Sequence, residues 1–89
     1  MNPQVLMYMT HACPFCQRAE RLLAAKGLTD VARIHVDREP AKRAEMMQKT
    51  GRRTVPQIYI GDVHIGGYEE LAALDHAGRL EALLRGEAA

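Results

Sequence analysis

Two cysteines three residues apart, Cys13-Pro14-Phe15-Cys16, stand where a short apolar run gives way to a helical pattern. No other feature narrows the fold as much. The run Gln4-Val5-Leu6-Met7-Tyr8-Met9 reads as a buried strand, stopped by Thr10 and His11. From Pro14 onward, Phe15, Ala19, Leu22 and Leu23 recur at i, i+4, i+7 and i+8, one face of a helix that Gly27 can end. Cys13 therefore falls at a helix start. Pro14 suits the first turn, since its ring presets the helical φ and its missing N–H would be unpaired there anyway.

The rest of the chain continues the alternation. Residues 31–37 put Ala32, Ile34 and Val36 on one face of a half-exposed strand, expected at a sheet edge. Pro40 opens a second helix over 40–50, and Gly51 closes it. Val55 to Ile60, the pair Gly61-Asp62, and Val63 to Ile65 read as a two-residue antiparallel hairpin. After Gly66-Gly67, Leu71, Leu74, Leu80, Leu83 and Leu84 keep helical spacing, with a break at Gly78. With 89 residues the chain is expected to be one domain over 1–89. The order strand, helix, strand, helix, strand, strand, helix predicts an α/β fold of the thioredoxin-like kind, a four-stranded mixed sheet flanked by helices.

Charge excludes some functions. Twelve Lys and Arg against eleven Asp and Glu leave a net charge of +1, which gives no reason to expect nucleic acid or an anionic membrane as partner. No apolar run reaches the roughly 20 residues that span a bilayer, and Met1-Asn2-Pro3-Gln4 lacks the pattern of a signal peptide. The expected location is the cytoplasm, where paired cysteines serve metal binding or redox turnover rather than a lasting structural bridge.

Spacing favours redox. Helix N-terminal N–H groups lower a thiol's pKa, so Cys13 is expected to titrate below an ordinary thiol and act as nucleophile. Cys16 shares its helix face and can close a disulfide with it. A zinc site would need two further ligands, and His11, His35, His64 and His76 lack the paired spacing for it. No metal site is expected. Arg18, Arg21 and His11 read as solvated surface residues.

The residues resemble those of glutaredoxins, specifically the small bacterial dithiol type. Three motifs carry the resemblance, in the family's order and spacing across essentially the whole chain: Cys13-Pro14-Phe15-Cys16, Thr54-Val55-Pro56, and Gly66-Gly67-Tyr68-Glu69-Glu70-Leu71. It implies a glutathione-dependent thiol-disulfide oxidoreductase that reduces protein disulfides and glutathione mixed disulfides. Cys13 and Cys16 would be catalytic, glutathione the reductant, and no cofactor tightly bound. Partners would be glutathione and disulfide-containing or glutathionylated proteins, with the chain a monomer.

The resemblance also implies a glutathione site. Pro56 would be a cis-proline facing the dithiol, and the Thr54-Val55 backbone would pair with the peptide part of glutathione. Gly67 would open a helix whose N–H groups at Tyr68 and Glu69 hold the γ-glutamyl carboxylate, with Glu69 and Glu70 near its ammonium. Phe15 supplies an aromatic ring where relatives often have tyrosine. Thr10 stands where many carry a lysine, so Arg52 or Arg53 would meet the glycine carboxylate. Two alternatives stand beside this reading: reduction by a thioredoxin reductase instead of glutathione, and a glutathione-ligated iron-sulfur cluster held by Cys13. Pro14 argues against the second.

Overall fold

Alternation along the first strand divides the molecule into two cores. In a computed structural model that describes residues 3–87, β1 (Val5–Met9) sends Val5, Met7 and Met9 into one hydrophobic cluster and Leu6 and Tyr8 into another, as the period of two requires. Met1, Asn2, Ala88 and Ala89 lie outside the described residues, as do those ends of the expected 1–89 domain.

The sheet order is β2 (Val31–His35), β1, β3 (Gln57–Ile60), β4 (Val63–Gly66). β1 runs parallel to β2, with Val5 opposite Val31, and antiparallel to β3, with Tyr8 opposite Gln57. Parallel neighbours need a long crossover, and α1 (Pro14–Ala25) supplies it. Cys16, Ala19 and Leu23 of α1 join the first cluster, with Leu71 of α3 (Tyr68–His76) and Leu80, Leu83 and Leu84 of α4 (Leu80–Leu84). Met46 of α2 (Pro40–Thr50) packs with Tyr8 and Val36 in the second cluster. The sheet therefore lies between α1, α3 and α4 on one face and α2 on the other, the thioredoxin-like arrangement.

The expected elements are present, with five differences. Phe15 is not part of the packed face of α1. Ala19 and Leu23 are buried and Leu22 packs against the same cluster as expected, but Cys16 takes the inward place expected of Phe15, which is 49% exposed. β2 ends at His35, although Val36 N–H still donates to Met9 O at 2.9 Å and its side chain is buried. Val31 is buried on the opposite face from Ile34 and Val36, so this edge strand serves both cores. β3 begins at Gln57 rather than Val55, since Pro56 has no N–H to give a ladder. Finally, Ile58 pairs with Gly66 while Tyr59 pairs with His64, so Ile65 is the extra residue of a bulge in β4.

Helix α1 ends as its sequence predicts. Leu28 N–H donates to Leu23 O at 3.0 Å and Gly27 N–H to Ala24 O at 2.9 Å, a Schellman closure that needs the positive φ of 86° at Gly27. No helix among the described residues is long and apolar enough to cross a membrane.

Leu23 has no exposed surface and joins α1 to the first cluster. Leu23→Ala is expected to lower the unfolding free energy by about 2–5 kcal/mol in urea titrations, a large part of the total for a domain of this size. A loss below about 1 kcal/mol would contradict this packing.

Candidate active site

The site forms where two chain connections meet at one end of the sheet. β1 leads through Thr10 to Cys13, the N-cap of α1, whose φ of −131° and ψ of 100° are extended. An N-cap normally offers a side-chain oxygen to the helix. Here the acceptor is sulfur: Cys16 N–H points at Cys13 Sγ, 3.1 Å away, while Cys13 O accepts from Gln17 N–H at 3.1 Å. The two sulfurs are joined as a disulfide, with Cα atoms 5.2 Å apart. Cys13 keeps 7% of its surface exposed and Cys16 none, so of the two residues only Cys13 touches solvent.

Opposite lies the α2–β3 connection. Its Val55–Pro56 peptide is cis, and Val55 O sits 3.9 Å from Cys13 Sγ. Beyond it a groove of about 330 Å³ opens, lined by Phe15 of α1, by Arg52, Thr54, Val55 and Pro56, and by Gly67, Tyr68, Glu69 and Glu70 at the start of α3. These are the nine residues expected to line a glutathione site: eight from the sequence motifs, and Arg52 from the lysine missing at residue 10. Arg53 and Thr10 are not among the lining residues. The Phe15 and Tyr68 rings lie 6.4 Å apart, and the Arg18 guanidinium sits 5.3 Å from the Phe15 centroid, so Arg18 is not purely solvated.

The charged rim is already internally engaged. Glu70 Oε1 accepts from Gly67 N–H at 2.7 Å and from Arg52 Nη1 at 2.8 Å. It thus occupies part of the α3 N-terminus that the sequence reading left open. Its carboxyl is held below the usual range, first by the Gly67 N–H and then by Arg52. Gly66, at φ 114°, has no room for a side chain because the Glu70 carboxylate passes where a Cβ would stand. At Gly67 a Cβ would stand 3.4 Å from Pro56 O, an ordinary contact, so the backbone of this residue does not itself require glycine.

Other polar groups have defined partners. His11 donates its backbone N–H to Asp37 at 3.3 Å, has Nδ1 3.2 Å from the same oxygen, and stacks on His35 with centroids 4.4 Å apart. Tyr8 is strand packing, with its hydroxyl donating to Glu45 at 2.6 Å; burial, reinforced by that carboxylate, raises its pKa well above the ordinary value. Among the described residues no three His, Cys, Asp or Glu side chains gather as a metal would require. One network went unpredicted: Gln57, with no exposed surface, bridges Thr54 and His64. The available signal was a glutamine within an apolar strand, since a buried amide must find partners.

A dithiol at the junction of a strand and a helix, facing a cis-proline, coincides with a family match: residues 5–65 fit the glutaredoxin model. The chain belongs to the glutaredoxin family. It is similar to a glutaredoxin of Pseudomonas aeruginosa, 50% identical over 82 residues that cover 92% of this chain and 96% of that one. Among solved structures it resembles Brucella melitensis glutaredoxin, with a TM-score of 0.86 and 43% identity over 99% of this chain and 96% of that one. A buckwheat glutaredoxin in complex with glutathione gives 0.85 and 32%, over 99% and 83%. Like other glutaredoxins, the chain is a thiol-disulfide oxidoreductase.

The N–H aimed at Cys13 Sγ and the burial of Cys16 generate a prediction for the reduced glutaredoxin. Iodoacetamide should modify Cys13 alone in the folded state, with a rate midpoint below the roughly 8.5 of a free thiol. Equal labelling of both cysteines, or a midpoint at the free value, would contradict it.

Proposed function

We propose that the chain reduces glutathionylated and disulfide-linked proteins with glutathione as electron donor, Cys13 attacking and Cys16 resolving. The observation that carries this reading is that Val55 belongs both to the groove and to the surroundings of Cys13 Sγ. A tripeptide laid along the Val55 backbone would bring its sulfur to Cys13. Such a contact is a short strand addition, with main-chain hydrogen bonds supplying affinity. The buckwheat complex supports the choice of ligand.

The chemistry follows in balanced steps. Cys13 thiolate attacks the glutathione sulfur of a mixed disulfide, and the client thiolate leaves and takes a proton. A second glutathione thiolate then attacks the glutathionyl sulfur on Cys13, releasing oxidised glutathione and restoring the Cys13 thiolate. With a protein disulfide, Cys13 instead binds one client sulfur. Cys16, deprotonated, attacks Cys13 Sγ, frees the client dithiol and leaves the Cys13–Cys16 disulfide, which two glutathiones reduce. Burial suits Cys16 to this role, because no client sulfur can reach it first.

Ligand charges match the groove in a particular way. Glutathione carries two carboxylates and one ammonium, and the rim offers Arg52, the N–H groups at the start of α3, and the carboxylates of Glu69 and Glu70. Arg52 gives Glu70 a single Nη1 contact, so its other guanidinium N–H groups can meet a ligand carboxylate while Glu70 keeps its bond to Gly67 N–H. Both side chains of that pair are over 40% exposed, so any adjustment of their contact costs little. We further read the chain as a one-domain monomer working in a reducing compartment. In support, both hydrophobic clusters share one sheet, and the exposed large apolar side chains, Phe15 and Val63, belong to different elements.

Two measurements test this reading. Cys13→Ser should abolish glutathione-dependent reduction of a glutathionylated peptide, while Cys16→Ser keeps it and loses reduction of protein disulfides; the reverse pattern would exchange the roles. Activity with thioredoxin reductase but not with glutathione would replace the donor. In addition, Arg52→Ala should raise KM for the glutathionylated peptide about fivefold at low salt, with a smaller effect at moderate salt and little change in turnover. An unchanged KM at low salt would leave Arg52 with Glu70 as its sole partner.

A further inference from the structure

The Thr54-Val55-Pro56 segment precedes the first ladder residue of β3, so something other than the sheet must fix its orientation. Gln57 does this from the α2 side of the sheet, alternating with Ile58 of the opposite cluster. Its amide nitrogen donates to Thr54 O at 3.0 Å and to Thr54 Oγ1 at 3.3 Å. A flipped amide would set two carbonyl oxygens against each other, so Oε1 faces the other way. There it meets His64 Nε2 at 2.8 Å. An amide oxygen can only accept, which assigns the proton to Nε2 of His64. The result is a one-way chain, His64 to Gln57 to Thr54, running from the β4 edge strand to the residue beside Val55.

We propose that Gln57 and His64 are positioning residues that hold the Thr54-Val55 backbone in the orientation a glutathionyl group needs, touching neither the ligand nor the sulfurs. This rests on the reading of Val55 as the peptide-binding strand. His64 matters because, without its proton, Gln57 Oε1 would be a buried acceptor lacking a partner, and the amide could turn away from Thr54.

The test uses side chains that differ in where they place a donor. A glutamine at 64 puts its amide nitrogen near the position of imidazole Nε2, whereas an asparagine stops near Nδ1. His64→Leu and His64→Asn should therefore raise KM for a glutathionylated peptide about three- to tenfold, with turnover changed by less than about twofold. His64→Gln should stay within about twofold of the parent. Alkylation of Cys13 by iodoacetamide, which needs no groove, should be unchanged in all three. Gln57→Met should resemble His64→Leu if it folds. Nitrogen-15 spectra of the parent should show the Nε2–H form of His64, and the Thr54 and Val55 amide signals should move in His64→Leu and His64→Asn but not in His64→Gln. An Nδ1–H form, stationary Thr54 and Val55 signals, or a His64→Gln variant as impaired as His64→Leu would overturn the proposal. The spectra are read whatever the electron donor, so a parent inactive with glutathione would defeat the functional reading while the chain is still judged on its own.

Discussion

The antiparallel register of β1 on β3 is the constraint on which the rest depends. With Tyr8 opposite Gln57, the end of β1 and the start of β3 lie side by side, so the two connections that leave the sheet there must share one end of it. One carries the dithiol and the other the cis Val55–Pro56 peptide. A slip of one residue would exchange the faces of Gln57 and Ile58, burying an amide in the apolar cluster beneath α1 and placing Ile58 where Thr54 needs a donor. The same pattern that packs the core thereby fixes the site's register.

A second dependency is electrostatic. Glu70 is held below the usual carboxylate range first by Gly67 N–H and then by Arg52, and the pKa of His64 is lowered first by burial and then by the same guanidinium. Glu70 also caps its own helix through Gly67. The α2–β3 connection is therefore tied to α3 by an ion pair and to β4 by a neutral hydrogen-bond chain. Such a division makes physical sense: the exposed ion pair is weak and exchangeable, as a ligand-facing contact should be, while the buried amide chain is costly to break.

Much of this was legible in the sequence where the signal is local. Pro14 and Pro40 in first turns, Gly27 and Gly51 after helices, and Gly61-Asp62 between strands each act within a few residues, and the elements they bound are where they were expected. Eight of the nine residues that line the groove lie in the three motifs, and the ninth, Arg52, was expected there only as a replacement for the lysine absent at residue 10. What failed to show depends on tertiary neighbours. Phe15 and Cys16 are adjacent on a helix, and only the packing against β1 and α3 decides which turns inward. Nothing local told whether Glu70 would face a ligand or cap its own helix. Gln57 looked like a strand residue of no consequence because its partners, Thr54 and His64, are meaningful only once the hairpin closes.

The unequal surroundings of the two sulfurs give the proposed chemistry a direction. An approaching thiolate can reach Cys13 but not Cys16, so Cys13 is the sulfur through which every exchange must pass. The Cys16 N–H that faces Cys13 Sγ stabilises negative charge there. Thiols of lower pKa leave faster from a disulfide, and the N–H therefore favours the step in which glutathione expels Cys13 from a glutathionyl adduct; when Cys16 attacks Cys13 Sγ, the client thiolate is the leaving group instead. A buried Cys16 has no such stabilisation from solvent, and its charged form is disfavoured by desolvation. It acts best when Cys13 Sγ is already bonded to a partner and only a short approach remains. The glutathionyl route uses the favoured leaving group at its second step and never needs Cys16, whereas the client-disulfide route must also generate a buried thiolate. On this geometry, deglutathionylation is the less demanding of the two reactions.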